Sequence, residues 1–401
     1  MDDFALLDRS ARLSETADEV IRRCRLLAEC TEEPGHITRT FLSPPMREVH
    51  RLVRHWMEEA GMRVWVDAAG NIRGVKGDGP RLMIGSHLDT VPHAGAFDGI
   101  LGVVLGIALV GYALACRPIE VVGFSEEEGV RFGVPFIGSR ALIADPVMDE
   151  PVLEAIRAFG LDPAQLPQAA IGDDVKAYLE FHIEQGPVLE EKKRPLGIVS
   201  AIVGQSRYDV TFHGMANHAG ATPMNHRSDA LAAAAQWIGA VEEIGSEEPD
   251  LVATVGRLEV EPGATNVIPG LVRASLDVRS ASNFTRLEAV RNMLSAAAEM
   301  KNWRNVTATW EERLNQLAID MDPAMTQALR AAAKAAGYKS HSMVSGAGHD
   351  AMILATKVPS AILFVRSPGG ISHHPDETVL PEDVEAALAV GLRFLDTWSL
   401  S

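Results

Sequence analysis

The chain has 401 residues, with 37 Lys+Arg against 54 Asp+Glu and a formal net charge of −17. That balance repels phosphate backbones and anionic lipid, which argues against nucleic acid and membrane surfaces as partners. It leaves an anionic small molecule open, because one local Arg outweighs a distant average field. Single domains usually hold about 100 to 200 residues, so two domains are expected. The cysteines Cys24, Cys30 and Cys116 are odd in number and form no C-x-x-C, so neither a disulfide framework nor a thiolate zinc knuckle is expected. A reducing, cytoplasmic setting fits them. The opening MDDFALLDRSARL begins acidic and lacks the basic-then-apolar order of an export signal.

In chain order, the first strong elements are the apolar runs Arg81–Ser86 (RLMIGS) and Ile119–Phe124 (IEVVGF), with a helical stretch between them. This is the βαβ pattern of a mostly parallel sheet. Between the two runs, Gly99 to Cys116 spans 18 residues without a charge, the lower bound for a membrane span. Four glycines dilute it and it follows an Asp-Gly pair, so a helix buried in an α/β core explains it better. From Tyr208 the texture changes. A strand-like YDVTFHG precedes a helix over 226–243, strands near 252–260 and 270–278, a helix over 283–299 and a strand near 305–312. The order βαββαβ predicts a ferredoxin-like unit. In it Val272, Ala274, Leu276 and Val278 alternate with Arg273, Ser275, Asp277 and Arg279, as in a sheet with one covered face. After 322 an Ala-rich helix and the run Pro359–Val365 return to the first texture. The expected architecture is an α/β domain over 1–207 and 319–401, a mixed, mostly parallel sheet with helices on both faces, and an inserted α+β domain over 208–318. No internal repeat or low-complexity tract is present.

Four separated motifs carry candidate chemistry. Ser86-His87-Leu88-Asp89 closes the first strand, and Phe97-Asp98-Gly99 brings a carboxylate eleven residues after His87. Imidazole and carboxylate suit a borderline cation such as zinc, and Asp89 is placed to accept the other ring N–H of His87 and fix its tautomer. Alone, the pair reads equally well as a capped strand. Ser125-Glu126-Glu127-Glu128-Gly129 ends the next strand; like charges in a row are usually solvated, but beside a metal one carboxylate can ligate while a neighbour acts as general base. Phe181-His182-Ile183-Glu184-Gln185-Gly186-Pro187 and Gly370-Ile371-Ser372-His373-His374-Pro375 each place a His beside a turn. No G-x-G-x-x-G follows a strand, no Walker loop appears and no G-x-S-x-G elbow is present, which argues against a dinucleotide enzyme and a serine hydrolase.

Taken together, GSHLDTV, FDG, EEEGVRF, HIEQGP, HAGATPM, TNVIPG, SGAGHDA and GISH resemble the hydantoinase/carbamoylase branch of the metal-dependent aminoacylase and carboxypeptidase superfamily, from about residue 15 to the C-terminus. The branch includes N-carbamoyl-L-amino acid hydrolases, β-ureidopropionases, allantoate amidohydrolases and ureidoglycolate amidohydrolases. The resemblance implies two divalent metal ions per subunit, Zn2+ or Mn2+, with His87 and His182 on one, Glu127 and His373 on the other, and Asp98 bridging. It implies Glu126 as general base, from a register of base, ligand, any residue, Gly129. The GISH pattern selects His373 over His374.

The inserted domain resembles the family's lid and dimerisation domain, which implies a homodimer in which His218 reaches a neighbouring subunit's site and stabilises the oxyanion. Gln185, Arg207, Asn266, Arg279 and Gly348 are implied substrate contacts, with Arg279 pairing a substrate carboxylate in bidentate geometry. His349 is expected near the site and off the metal; His93, His213, His226 and His341 are expected to be structural or exposed. One departure is visible: many relatives carry a Gly-Gly pair before FDG, where this chain reads His93-Ala94-Gly95-Ala96. The implied activity is cleavage of a ureido C–N bond in a small carboxylate such as an N-carbamoyl-L-amino acid, allantoate, ureidoglycolate or 3-ureidopropionate, releasing ammonia and carbon dioxide. The neighbouring alternative is an N-acyl amino acid hydrolase or aminopeptidase.

Overall fold

The computed structural model describes residues 3–112 and 118–398, so Cys116 and the last residues of the uncharged run lie outside the described residues. The chain divides into two compact units, Met1–Ser200 with Met321–Ser401, and Ala201–Asp320. The inserted unit begins ahead of Tyr208 because its first strand already runs from Gly204 to His213.

In the first unit, four adjacent strands are parallel: Ile119–Phe124, Arg81–His87, Val175–Ile183 and Ser360–Val365, in that spatial order. Ile72–Lys76 and Arg63–Val66 extend one edge antiparallel, and Leu196–Ile202 lies antiparallel beside Ser360–Val365. Every residue of Ile119–Phe124 and of Ser360–Val365 is buried. Since successive side chains point to opposite faces, both faces of the sheet are covered. The uncharged run forms the helix Ile100–Tyr112, buried along almost its whole length. Its glycines let it press onto the sheet: a Cβ on Gly102 would sit 2.0 Å from the Phe181 carbonyl oxygen. No helix among the described residues is long and apolar enough to cross a membrane.

In the second unit, Leu271–Ser280 pairs antiparallel with Gly204–His213 on one side and with Leu251–Thr254 and Leu258–Glu261 on the other, and Thr307–Gln316 completes the sheet beside Gly204–His213. The first and third strands are thus central, the order of a ferredoxin-like sheet. Val272, Ala274, Leu276 and Val278 are buried against the helices Ala230–Glu247 and Asn283–Arg304, whose Trp237 donates its indole N–H to the Met293 carbonyl at 2.9 Å. The first helix starts at Ala230, not 226, because the Asp229 side chain caps it by accepting the N–H of Leu231 and Ala232.

Candidate active site

The C-terminal ends of the four parallel strands lie side by side, which is where an open α/β sheet places its ligand. Each end delivers one motif: His87, the Glu126–Glu128 run after Phe124, His182 with Gln185, and, after Val365, His373. Asp98 enters from the loop before the buried helix. Its neighbour Gly99 takes φ +69°, and a Cβ there would lie 2.5 Å from the His87 ring, so only a bare backbone lets the carboxylate and imidazole share the space.

The histidines are fixed by their backbone partners. The His87 Nδ1 lies 3.1 Å from the Asp89 carbonyl and the His182 Nδ1 2.9 Å from the Ile183 carbonyl. A carbonyl only accepts, so each Nδ1 carries the hydrogen and the Nε2 of the neutral ring presents a lone pair. Those two Nε2 atoms face each other at 3.3 Å, and the Asp98 Oδ1 stands 3.3 Å from that of His182 and 3.9 Å from that of His87. Two lone pairs and a carboxylate oxygen converging in a buried space repel one another unless positive charge sits among them. His182 does not supply it, since burial presses its pKa down to about 4; His87 can, because although burial acts to lower its pKa, the hydrogen bond and charge of Asp89 with the charges of Glu127 and Asp98 hold it well above the ordinary value. The donor chemistry and spacing fit a divalent cation.

On the other side of Asp98, the His373 Nε2 lies 3.1 Å from Oδ2 and 3.5 Å from the Glu128 Oε1. Asp98, Glu128 and His373 form a second group with ligand atoms within 4.8 Å of one another. Asp98 therefore belongs to both groups. Burial acts to raise its pKa, but the hydrogen bond from His373 and the nearby imidazoles hold it well below the ordinary carboxylate range. The hydrogen bond to Asp98 in turn lifts His373 to about 9, while burial and the charge of Asp98 push Glu128 up to about 7.

The acidic run stands one residue further on than the expected register. Glu128, not Glu127, faces His373 and Asp98; Glu127 groups with His87 and Glu128; among the described residues Glu126 is in no metal-competent group. The cause is Asp89, whose carboxylate accepts the N–H of Glu127 at 3.0 Å and of Glu128 at 3.1 Å and winds the turn so that the last side chain reaches across. Glu126 is fully buried, and burial with the charge of Asp89 pushes it up to about 9. Asp89 serves both neighbours: its backbone carbonyl lies against the His87 Nδ1 with its carboxylate Oδ1 3.6 Å from the same atom, and the carboxylate also organises the acidic turn.

Gln185 donates from Nε2 to both Asp98 oxygens at 3.2 and 3.1 Å, and its Oε1 is buried without a partner. Gly348 lies against Phe136, with the Glu127 carboxylate next nearest. The His349 ring packs edge-on to His182, centroids 4.4 Å apart, and its Nε2 lies 2.9 Å from the Ser345 hydroxyl. A cleft of about 420 Å³ adjoins Gln185 and His373, lined on its apolar part by Val188, Met343, Val344, Ala347 and Phe364.

Two residues absent from the sequence reading hold the site. Glu377 accepts the N–H of Phe97 and Asp98 at 2.9 and 3.0 Å, fixing the Asp98 loop. Arg39, fully buried, donates to the Leu88 carbonyl at 2.7 Å behind the His87 strand. Neither stands in a recognisable motif, and only their partners reveal them.

Within the second unit, His218 and Asn266 lie together on a short ribbon, where Ala219 N–H donates to the Asn266 carbonyl at 3.0 Å. The His218 Nδ1 accepts the N–H of Gly220 and Ala221 at 3.1 and 3.0 Å. Its hydrogen is therefore on Nε2. Arg207 and Arg279 meet through Asp277, which accepts from Arg207 at 3.0 Å and Arg279 at 2.9 Å.

A parallel-sheet unit with imidazoles and carboxylates gathered at its strand ends is the build of a metal-competent hydrolase. Residues 83–397 match the model of peptidase family M20/M25/M40, and the chain belongs to that family. It is 40% identical over 402 residues to the N-carbamoyl-L-amino acid amidohydrolase of Geobacillus stearothermophilus, covering 95% of this chain and 97% of the relative. It is 36% identical over 433 residues to allantoate deiminase 2 of Glycine max, covering 95% and 89%. A hydantoinase/carbamoylase family amidase from Burkholderia multivorans superposes with a TM-score of 0.88 at 32% identity, covering 94% and 97%. The chain is accordingly a hydrolase of C–N bonds from the hydantoinase/carbamoylase branch.

Proposed function

We propose that this enzyme hydrolyses the ureido C–N bond of an N-carbamoyl-L-amino acid, as a homodimer with two divalent cations per subunit, in a reducing, cytoplasmic setting. The observation that carries the two-cation reading is the double membership of Asp98, with His87 and His182 on one side and Glu128 and His373 on the other. Cations held there supply the positive charge that polarises a carbonyl and acidifies water. Glu127, beside His87 and Glu128 and adjacent to the ligand set, takes the proton of the attacking water and returns it to the departing nitrogen. The carbamoyl fragment leaves as ammonia and carbon dioxide, and no bond to the protein forms.

Gln185 orients the ureido group from its place over Asp98. In this reading His218 of a neighbouring subunit donates its Nε2–H to the developing oxyanion, with Asn266 beside it, while Arg279 and Arg207 hold the substrate carboxylate and Gly348 leaves room for the substrate. The apolar part of the cleft, Val188, Met343, Val344, Ala347 and Phe364, supports an apolar amino-acid side chain ahead of allantoate, whose second ureido group is polar and would gain nothing from those carbons.

Ammonia release from metal-loaded enzyme tests this, on N-carbamoyl-L-leucine, N-carbamoyl-L-methionine, allantoate, ureidoglycolate and 3-ureidopropionate, with N-acetyl-L-methionine followed by amine release. The expected result is the highest kcat/KM on the apolar carbamoyl amino acids. Turnover confined to the acetyl compound would move the enzyme to the acyl amino acid hydrolases; a preference for allantoate would keep the reaction and overturn the reading of the cleft.

A further inference from the structure

Among the described residues, one group of potential metal ligands lies at the surface and shares no member with the active site: Glu33, His36 and His93, all exposed, with ligand atoms within 4.8 Å of one another. The His93 Nε2 stands 3.0 Å from the Glu33 Oε2, and the His36 and His93 rings stack with centroids 4.1 Å apart. We propose that these three side chains form a separate site for a divalent cation of the zinc class.

The chemistry selects the class. Two imidazoles and one carboxylate suit Zn2+, Ni2+ or Co2+, whereas Mg2+ and Ca2+ take oxygen ligands. The main chain that carries the ligands is already in place. Thr31 Oγ1 donates to the His36 carbonyl at 2.6 Å and accepts the N–H of Glu33 and Thr38 at 3.2 and 3.0 Å, closing the 31–38 segment on itself. His93 is tied to that segment by its own N–H, which donates to the Thr38 hydroxyl at 3.1 Å, and by Ala94 N–H to the Ile37 carbonyl at 2.8 Å. Only side-chain rotation is left to bring the donors from this spacing to tetrahedral distances of about 2 Å from the metal. With half of the Glu33 and His93 side chains exposed, water completes the coordination.

His93 lies on the loop between Asp89 and Asp98, so the cation cross-links the 31–38 segment to the loop that carries Asp98. A ligand that binds only the folded chain stabilises it by an amount that grows as the logarithm of its free concentration above Kd, so the melting temperature rises once the free cation exceeds Kd. The site is therefore a stabilising staple outside the catalytic set.

Enzyme carrying its catalytic metal is dialysed to equilibrium against micromolar Zn2+, and bound zinc is counted for the natural chain, His36→Ala/His93→Ala and Glu33→Gln. The natural chain is expected to hold one zinc more per subunit than the double variant, to gain melting temperature with zinc where the double variant does not, and to match it in ammonia release without added zinc. Should the double variant fold poorly, His93→Asn, which accepts the positive φ of this position, gives the same comparison. Equal zinc content and an equal thermal response in natural and variant chains would overturn the site.

Discussion

His87 and His182 in the first unit and His218 in the second are the same side chain prepared for opposite work. In the first unit backbone carbonyls meet Nδ1, so Nε2 is left as a lone pair. In the second, backbone N–H groups meet Nδ1, so Nε2 keeps its hydrogen and becomes a donor. Burial follows the same division: His87 and His182 are 1% exposed, whereas His218 and Asn266 are open to solvent. In the function proposed, the ligands hold their lone pairs steady in a dry space, while the donor meets a substrate that arrives from water. The main chain chooses between them, so a histidine motif alone does not disclose its role.

The largest effects should come from the first unit. Glu127→Gln is expected to lower kcat by about 10²- to 10⁴-fold, the range for a lost general base, with metal content unchanged. Glu128→Gln is expected to lose metal, read by elemental analysis of the purified protein. Metal loss from Glu127→Gln in place of Glu128→Gln would return the run to the register expected from the sequence. A smaller effect is expected from the second unit. Arg279→Lys removes a planar fork but keeps the charge, and should raise KM by about 10- to 100-fold with little change in kcat, the equivalent of about 1.5–3 kcal/mol for hydrogen bonds to a charged group. A fall in kcat without a rise in KM would break the division of chemistry from binding.

The smallest effect concerns stability, and it again belongs to the first unit. His50, buried on the helix Met46–Glu59 and edge-on to Phe159, is held by burial at about 4. The unfolded chain takes that proton first as pH falls through about 6.5, so stability present above that value is lost toward pH 4. The loss should reach roughly 1–2 kcal/mol between pH 6.5 and 5. His50→Leu should flatten that slope in urea titrations; an unchanged slope would assign the acid sensitivity elsewhere.

The positions of the strands and of His87, Asp98 and His182 were legible because each stands alone beside an apolar run, and His373 was separated from its neighbour His374 by the GISH pattern. The run Glu126–Glu128 was not, since three adjacent identical carboxylates carry no chemical mark of direction. The N–H groups that Asp89 accepts, from 38 and 39 residues away, decide it. Glu377 was illegible for a similar reason, lying 279 residues from the Asp98 N–H that it holds. The start of the Ala230 helix was written in the sequence, in the capping residue Asp229, and expecting it at 226 overlooked that signal.

Gly99 bears on how the enzyme can be altered. One added carbon there would lie 2.5 Å from three atoms of the His87 ring, so Gly99→Ala is a steric lesion at that imidazole even though it removes no functional group. Val344, in the cleft wall, is 38% exposed and carries no hydrogen bond that a different side chain would break. A mutational library aimed at new substrates has its freedom at positions such as Val344, and any that varies the residue after Asp98 will return mainly inactive clones.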